Sequence, residues 1–240
     1  MSILVVTGTD TGVGKTVVTA AVASLARERG SSVAVLKPAQ TGVSDTEPGD
    51  MDDIIRLSGV RTTFESARYP AALSPAAAAR LAGLPPVSLA RVADRVGELA
   101  GSHRLVIIEG AGGLLVRFDE EGATLADLAR ALSAPVLLVT RAGLGTLNHT
   151  ALTLEAMAHR GLEPAGVVIG SWPAAPGVAE RSNVADLEML AARPLAGALP
   201  EGAGLLERDA FARAAHSGLG PALGGGFDPA AFRTTLRLSP

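Results

Sequence analysis

The chain carries 21 basic side chains, of which only two, Lys15 and Lys37, are lysines. Both stand where a short apolar run gives way to glycine or proline. Lys15 lies in Gly8-Thr9-Asp10-Thr11-Gly12-Val13-Gly14-Lys15-Thr16, directly after the run Ile3-Leu4-Val5-Val6. Glycines at this density let successive backbone N–H groups turn towards phosphate oxygens, and a helix starting at the lysine adds the positive end of its dipole. In that arrangement Lys15 reaches the β- and γ-phosphates and the Thr16 hydroxyl binds Mg²⁺. The usual spacing has glycine six residues before the lysine; here Thr9 holds that place and the glycine is displaced to Gly8. Lys37 ends Val33-Ala34-Val35-Leu36 and is followed by Pro38, which stops regular strand pairing. A second lysine aimed at the same crevice suits phosphoryl transfer, where negative charge builds on both sides of the transferred group.

Such a site needs a carboxylate for the metal. Glu109 supplies one at the end of Leu105-Val106-Ile107-Ile108, and Gly110-Ala111-Gly112-Gly113 behind it lets backbone approach a ligand closely. A second acidic group lies in Asp50-Met51-Asp52-Asp53, where spacing alone does not single out one residue. The chain has no cysteine, which excludes disulfides, thiolate zinc sites and a cysteine nucleophile. His103, His149, His159 and His216 show no metal-ligand spacing. A net charge of -3 gives no reason to expect nucleic acid as a partner. No apolar run reaches the ~18 residues of a membrane span, and the N-terminus has no basic leader, so a cytoplasmic protein is expected.

The elements that must hold these groups alternate. Apolar β-type runs are expected at residues 3–8, 33–38, 104–109, 135–140, 165–170 and 195–199. Helical stretches are expected at 15–29, 75–82, 87–100, 125–132, 146–160, 178–192 and 205–215. Several strands are apolar throughout, as strands covered on both faces of a parallel sheet should be. The pattern predicts an α/β fold with a doubly wound, mainly parallel sheet, helices on both faces and ligands at the carboxyl ends of the strands. One domain spanning residues 1–240 is expected. Residues 44–53 read as a surface loop entering a helix. Residues 216–226 read as a loose Gly-rich connection to a last helix near 229–236, within a C-terminal tail over 216–240.

The ordered motifs resemble the dethiobiotin synthetase family of the biotin pathway over roughly residues 1–205. Gly8-Thr9-Asp10-Thr11-x-x-Gly14-Lys15-Thr16 is similar to the family's variant phosphate loop. Lys37-Pro38-x-Gln40-Thr41-Gly42, Glu109-Gly110-Ala111-Gly112-Gly113 and Leu144-Gly145-Thr146-Leu147-Asn148-His149 are similar to its later blocks, and Ser74-Pro75-Ala76 fits a substrate-side helix start. The resemblance implies a P-loop NTPase-like ligase that closes a cyclic urea from 7,8-diaminopelargonate and CO2 with MgATP, through a carbamate and a carbamic-phosphoric anhydride. It implies Lys37 and Lys15 as catalytic lysines, and Mg²⁺ held by Thr16, Glu109 and Asp50, with Asp53 as the alternative. It implies nucleotide contacts from Gly12, Val13, Gly14, Lys15, Thr16, Val17, Asp50, Glu109, Gly110, Ala111 and Gly112. Substrate contacts would come from Thr11, Lys37, Thr41 and the helix start Gly145, Thr146, Leu147 and Asn148. In the family that last loop crosses a homodimer interface.

One departure concerns the nucleotide base. Many members carry an asparagine after the fifth strand, where this chain reads Gly170-Ser171-Trp172-Pro173. Gly170, Ser171 and the segment Pro200-Glu201-Gly202 are the remaining candidates for the base, so ATP and other nucleoside triphosphates both stay open. Trp172 serves either packing or stacking. A partition or septum-site type ATPase switch is the nearest rival, but such proteins carry a signature lysine five residues before the loop lysine, where this chain has Asp10. A glutamine-fed amidoligase would need an ammonia source, usually a cysteine-dependent glutaminase.

Overall fold

The computed structural model describes residues 2–236. Along them run β1 (Ser2–Gly8), α1 (Lys15–Glu28), β2 (Val33–Lys37), β3 (Gln40–Thr41), α2 (Asp50–Ser58), β4 (Thr62–Glu65) and β5 (Arg68–Tyr69). Then come α3 (Pro75–Ala82), α4 (Leu89–Ser102), β6 (Leu105–Gly113), α5 (Leu125–Ala131), β7 (Val136–Thr140) and α6 (Thr146–His159). The chain closes with β8 (Pro164–Trp172), α7 (Val178–Ala191), β9 (Gly197–Pro200), α8 (Arg208–Gly218) and α9 (Pro229–Thr235). Seven strands form one parallel sheet in the order β4-β2-β6-β1-β7-β8-β9, and β3 pairs with β5 beside it.

The apolar strands are apolar throughout because both of their faces are covered. Leu4 and Val6 of β1 pack into the cluster that holds Val18 and Leu25 of α1, Ile54 of α2 and Phe211 of α8. Val5, one residue out of phase, points to the opposite cluster with Val96 of α4 and Leu128 of α5. The same alternation separates Val35 from Leu36 and Ile107 from Ile108. The sheet is doubly wound: from β1 the chain crosses to β2, and β6 then fills the gap between them. The next crossover carries it to β7 on the other side of β1. That reversal opens a crevice at the carboxyl ends of the central strands.

The tail differs from expectation. Leu219, Phe227 and Leu236 are buried, Gly197 bridges to Leu219, and Phe232 meets Trp172 edge-on with centroids 5.0 Å apart. The Gly-rich segment is a packed corner, and Trp172 has a packing partner. Residues 237–240 of the tail, like Met1, lie outside the described residues. Among the described residues, no helix is long and apolar enough to cross a membrane.

Candidate active site

The phosphate loop turns between β1 and α1 with Gly12 at φ 71° and Gly14 at φ 97°, the left-handed region that side chains disfavour. Gly14 also lies against β8: a Cβ there would stand 2.8 Å from the Gly170 carbonyl oxygen, and a Cβ on Gly170 would overlap the Val13 carbonyl. The loop therefore rests directly on the end of β8, with the Val13 side chain in the core. Lys15 Nζ donates to the Asp10 carbonyl at 2.9 Å, which keeps the ammonium inside the loop. Burial drives its pKa down from the ordinary 10.5 to about 8, partly opposed by Glu109.

Sheet register brings the other charges together. Val6 of β1 pairs with Glu109 of β6, and Leu36 of β2 pairs with Ile108, so Lys37 and Glu109 emerge side by side one step further on. Lys37 Nζ lies 2.8 Å from Glu109 Oε1 and 2.5 Å from Asp50 Oδ2. The same Glu109 Oε1 accepts from the Thr16 hydroxyl at 2.9 Å. Lys37 and Glu109 are 3% and 0% exposed, a depth at which an isolated charge is prohibitively costly. Burial alone would lower the Lys37 pKa, but Glu109 and Asp50 more than reverse it, so the amine stays charged above its ordinary range. Glu109 Oε2 is buried with no hydrogen-bond partner in the protein. Thr16 meets Glu109 directly and Asp50 meets it through Lys37, a hydroxyl and two carboxylates whose hard oxygens could hold Mg²⁺.

Asp50 and Asp53 separate clearly. Asp50 turns inward to Lys37, while Asp53 pairs with Arg56 at 2.8 Å. The expected strand end at Glu109 is extended, because β6 continues to Gly113 and carries Gly110, Ala111 and Gly112 along the cavity wall.

The cavity has a volume of about 670 Å³. It gathers Thr11, Gly12, Gly14, Lys15, Thr16, Val17, Lys37, Thr41, Asp50, Asp53 and Glu109, together with Ser74 and Pro75 at the start of α3. Other expected positions lie outside its lining. Gly170 sits behind the loop, Ser171 is exposed, and Pro200, Glu201 and Gly202 form an exposed turn held by the Glu201 N–H donating to the Trp172 carbonyl at 2.8 Å. Gly145, Thr146, Leu147 and Asn148 begin α6, beyond β7. They connect to the phosphate loop through Thr140, whose hydroxyl lies 2.6 Å from that of Thr146.

Sequence motifs alone give no role to Arg141 or Gln40. Arg141 donates to the Thr11 carbonyl at 2.9 Å and carries no motif signal among so many arginines. Gln40 stood in a quoted motif without a role, yet it lines the cavity and is 5% exposed.

Known proteins agree with this architecture. Residues 2–208 match the family described as an AAA domain. The ATP-dependent dethiobiotin synthetase of Parafrankia sp. (strain EAN1pec) is 62% identical over 97% of this chain and 98% of its own length. That of Frankia casuarinae is 63% identical over the same shares. Among solved structures, the MinC:MinD cell division complex of Aquifex aeolicus aligns with a TM-score of 0.55 at 13% identity, covering 89% of this chain and 86% of that one. A ParA family ATPase from Chlorobium tepidum aligns with a TM-score of 0.52 at 15% identity, covering 91% and 90%. At such identities the structural likeness speaks for the fold alone, and the chemistry follows the sequence relatives: this chain belongs to the ATP-dependent dethiobiotin synthetase family.

Proposed function

We propose that this cleft closes the cyclic urea of dethiobiotin from 7,8-diaminopelargonate and CO2, with ATP converted to ADP and phosphate. The observation that carries this reading is the Lys37 ammonium, buried between Asp50 and Glu109, with Glu109 also bonded to the phosphate-loop hydroxyl of Thr16. Mg²⁺ fits Thr16, Asp50 and Glu109, since the unpartnered Glu109 Oε2 needs a cation or a donor. When bound, it would neutralise phosphate charge at the loop.

The chain's own residues then divide the work. Backbone N–H groups of Gly12, Val13, Gly14, Lys15, Thr16 and Val17 cradle the phosphates, and Lys15 holds the β- and γ-groups. One substrate amine attacks CO2 and loses a proton, giving a carbamate. A carbamate oxygen takes the γ-phosphoryl group as ADP leaves, and the second amine then attacks the carbonyl carbon as phosphate departs. Carbamate and triphosphate are both anionic, and at ~4 Å with an effective dielectric of ~20 each unit pair repels by about 4 kcal/mol. Lys37 offsets that repulsion at the junction, while Thr11 and Thr41 orient the diamine. Gly110, Ala111 and Gly112 let backbone line the reacting end without side-chain obstruction. Gly170, Ser171, Pro200, Glu201 and Gly202 meet the base.

Gly145, Thr146, Leu147 and Asn148 offer helix N–H groups suited to the substrate's remote carboxylate, yet they do not line this cavity. We infer that they serve a second copy in a homodimer; Leu144 beside them is 88% exposed. Sedimentation at micromolar concentration checks this, and a monomer with full activity contradicts it.

The direct test of the reaction is to supply the diamine, bicarbonate, Mg²⁺ and ATP and follow phosphate and dethiobiotin together. Equal yields of both, absent without the diamine, are expected. Phosphate release independent of the diamine, with no dethiobiotin, would support an ATPase switch instead.

A further inference from the structure

We propose that Gln40 is a positioning residue for Asp50, holding the start of α2 so that the Asp50 carboxylate meets Lys37 and the metal. The proposal rests on the reading of Asp50 as a metal ligand. The first N–H groups of a helix have no partner within it, and Gly49, at the N-cap of α2, has no side chain to supply one. Gln40 fills that role from outside the helix: its Oε1 accepts from the Asp50 N–H at 3.0 Å. Its Nε2 donates to the Thr41 carbonyl at 3.2 Å, which fixes the orientation of the amide. Among the acidic residues of the first turn, Asp52 accepts from the Gly49 N–H at 2.7 Å and Asp53 pairs with Arg56. Asp50 alone is directed to Lys37, and the group that sets its backbone is Gln40.

The small sheet explains why Gln40 can do this. Gln40 of β3 stands opposite Arg68 of β5. Arg68 donates to the Ser44 and Glu47 carbonyls at 2.9 and 2.7 Å and is itself held by the Glu65 carboxylate at 2.7 Å. One register pair thus fixes both the loop that enters α2 and its first amide. Gly49 is needed there for room: a Cβ would stand 2.9 Å from Arg68 Nη2 and 3.0 Å from Gln40 Oε1.

Three variants and two readouts test this. Gln40→Leu removes the acceptor at similar bulk, Gly49→Ala presses on Gln40 Oε1 and Arg68 Nη2 while leaving both residues in place, and Gln40→Glu keeps an acceptor oxygen. Exchange of the Asp50 amide in the ligand-free protein should quicken about fivefold in the first two, the value of one net hydrogen bond, and return towards normal in Gln40→Glu. Mn²⁺, titrated by electron paramagnetic resonance with a non-hydrolysable ATP analogue, should bind about tenfold more weakly to Gln40→Leu, as for other groups that orient a metal ligand. Should Gln40→Leu fail to fold, Gly49→Ala carries both measurements. Unchanged amide exchange, or unchanged Mn²⁺ affinity while Asp50→Asn weakens it, overturns the role of Gln40 and leaves that of Asp50 standing. If Asp50→Asn itself leaves Mn²⁺ affinity unchanged, the metal reading fails and the proposal with it.

Discussion

Two regions flanking the phosphate loop, the inner cavity and the strand ends outside its lining, are built from different materials. At the inner end, Thr16, Glu109, Lys37 and Asp50 touch one another through side chains at 2.5 to 2.9 Å, and the central pair is buried. At the outer end, beyond the cavity lining, Gly170, Ser171 and the segment from Pro200 to Gly202 present small or exposed groups, with the Glu201 N–H donating to the Trp172 carbonyl. Side-chain chemistry at the inner end cannot be exchanged without leaving a buried charge alone. Backbone at the outer end tolerates changes of side chain, provided that space is kept.

The largest break in this contrast is expected from Lys37→Gln. It strips the inner end of its cation and leaves Glu109 and Asp50 facing each other. Dethiobiotin formation should fall by about 10³, on the scale of losing a main electrostatic stabiliser. Retention of a tenth of the wild-type rate would remove Lys37 from the reacting centre.

Gly170→Ala comes next and attacks the seam between the two ends. The added methyl meets the Val13 carbonyl, so stability should drop by about 1–3 kcal/mol in denaturant titration, with weaker nucleotide binding. An unchanged midpoint would mean that the loop does not rest on β8.

Lys15→Met separates function from stability at the inner end. The Lys15 pKa is lowered to about 8 by burial, so the folded state binds this proton less readily than the unfolded chain. The cost is present in full below pH ~8 and disappears as pH rises from there towards the unfolded value. The ligand-free variant should therefore melt several degrees higher than wild type at pH 7, with the gap closing in alkali, while nucleotide affinity collapses. A variant that melts lower at pH 7 would show that the bond to the Asp10 carbonyl outweighs desolvation. Smallest of all, Ser171→Ala should change activity with any nucleoside triphosphate by no more than about threefold, the effect of one exposed hydroxyl. A selective loss with one base would locate a side-chain readout at the exposed end of β8.

The same contrast explains what could be read from the residues alone. Six strands and the phosphate loop were legible because continuous apolar runs and glycine spacing are local signals. Lys37 and Glu109 were legible because charge at the end of an apolar strand demands a reason. Choosing Asp50 over Asp53 required the family resemblance, and its geometry depends on Gln40 and Arg68, ten and more residues away. The strand from Thr62 to Glu65 was missed because an edge strand of mixed polarity has no apolar signature, and β3 and β5 are too short for any period. The C-terminal corner is packed although its sequence signals a loose connection, since glycine content marks turns whether or not they are packed. Its anchors, Leu219 and Phe227, stand singly among small residues.

In the proposed reaction a compact ammonium, fixed between two carboxylates, acts on the reacting groups rather than on nucleotide binding. Lys37→Arg tests it most directly, because it keeps the charge and replaces the point donor with a planar fork. ATP affinity by calorimetry and single-turnover formation of dethiobiotin should be measured on the same preparation. Affinity within about threefold of wild type and turnover slower by about 10² or more are expected. Full-rate turnover in Lys37→Arg, or a loss explained entirely by weaker ATP binding, would contradict it.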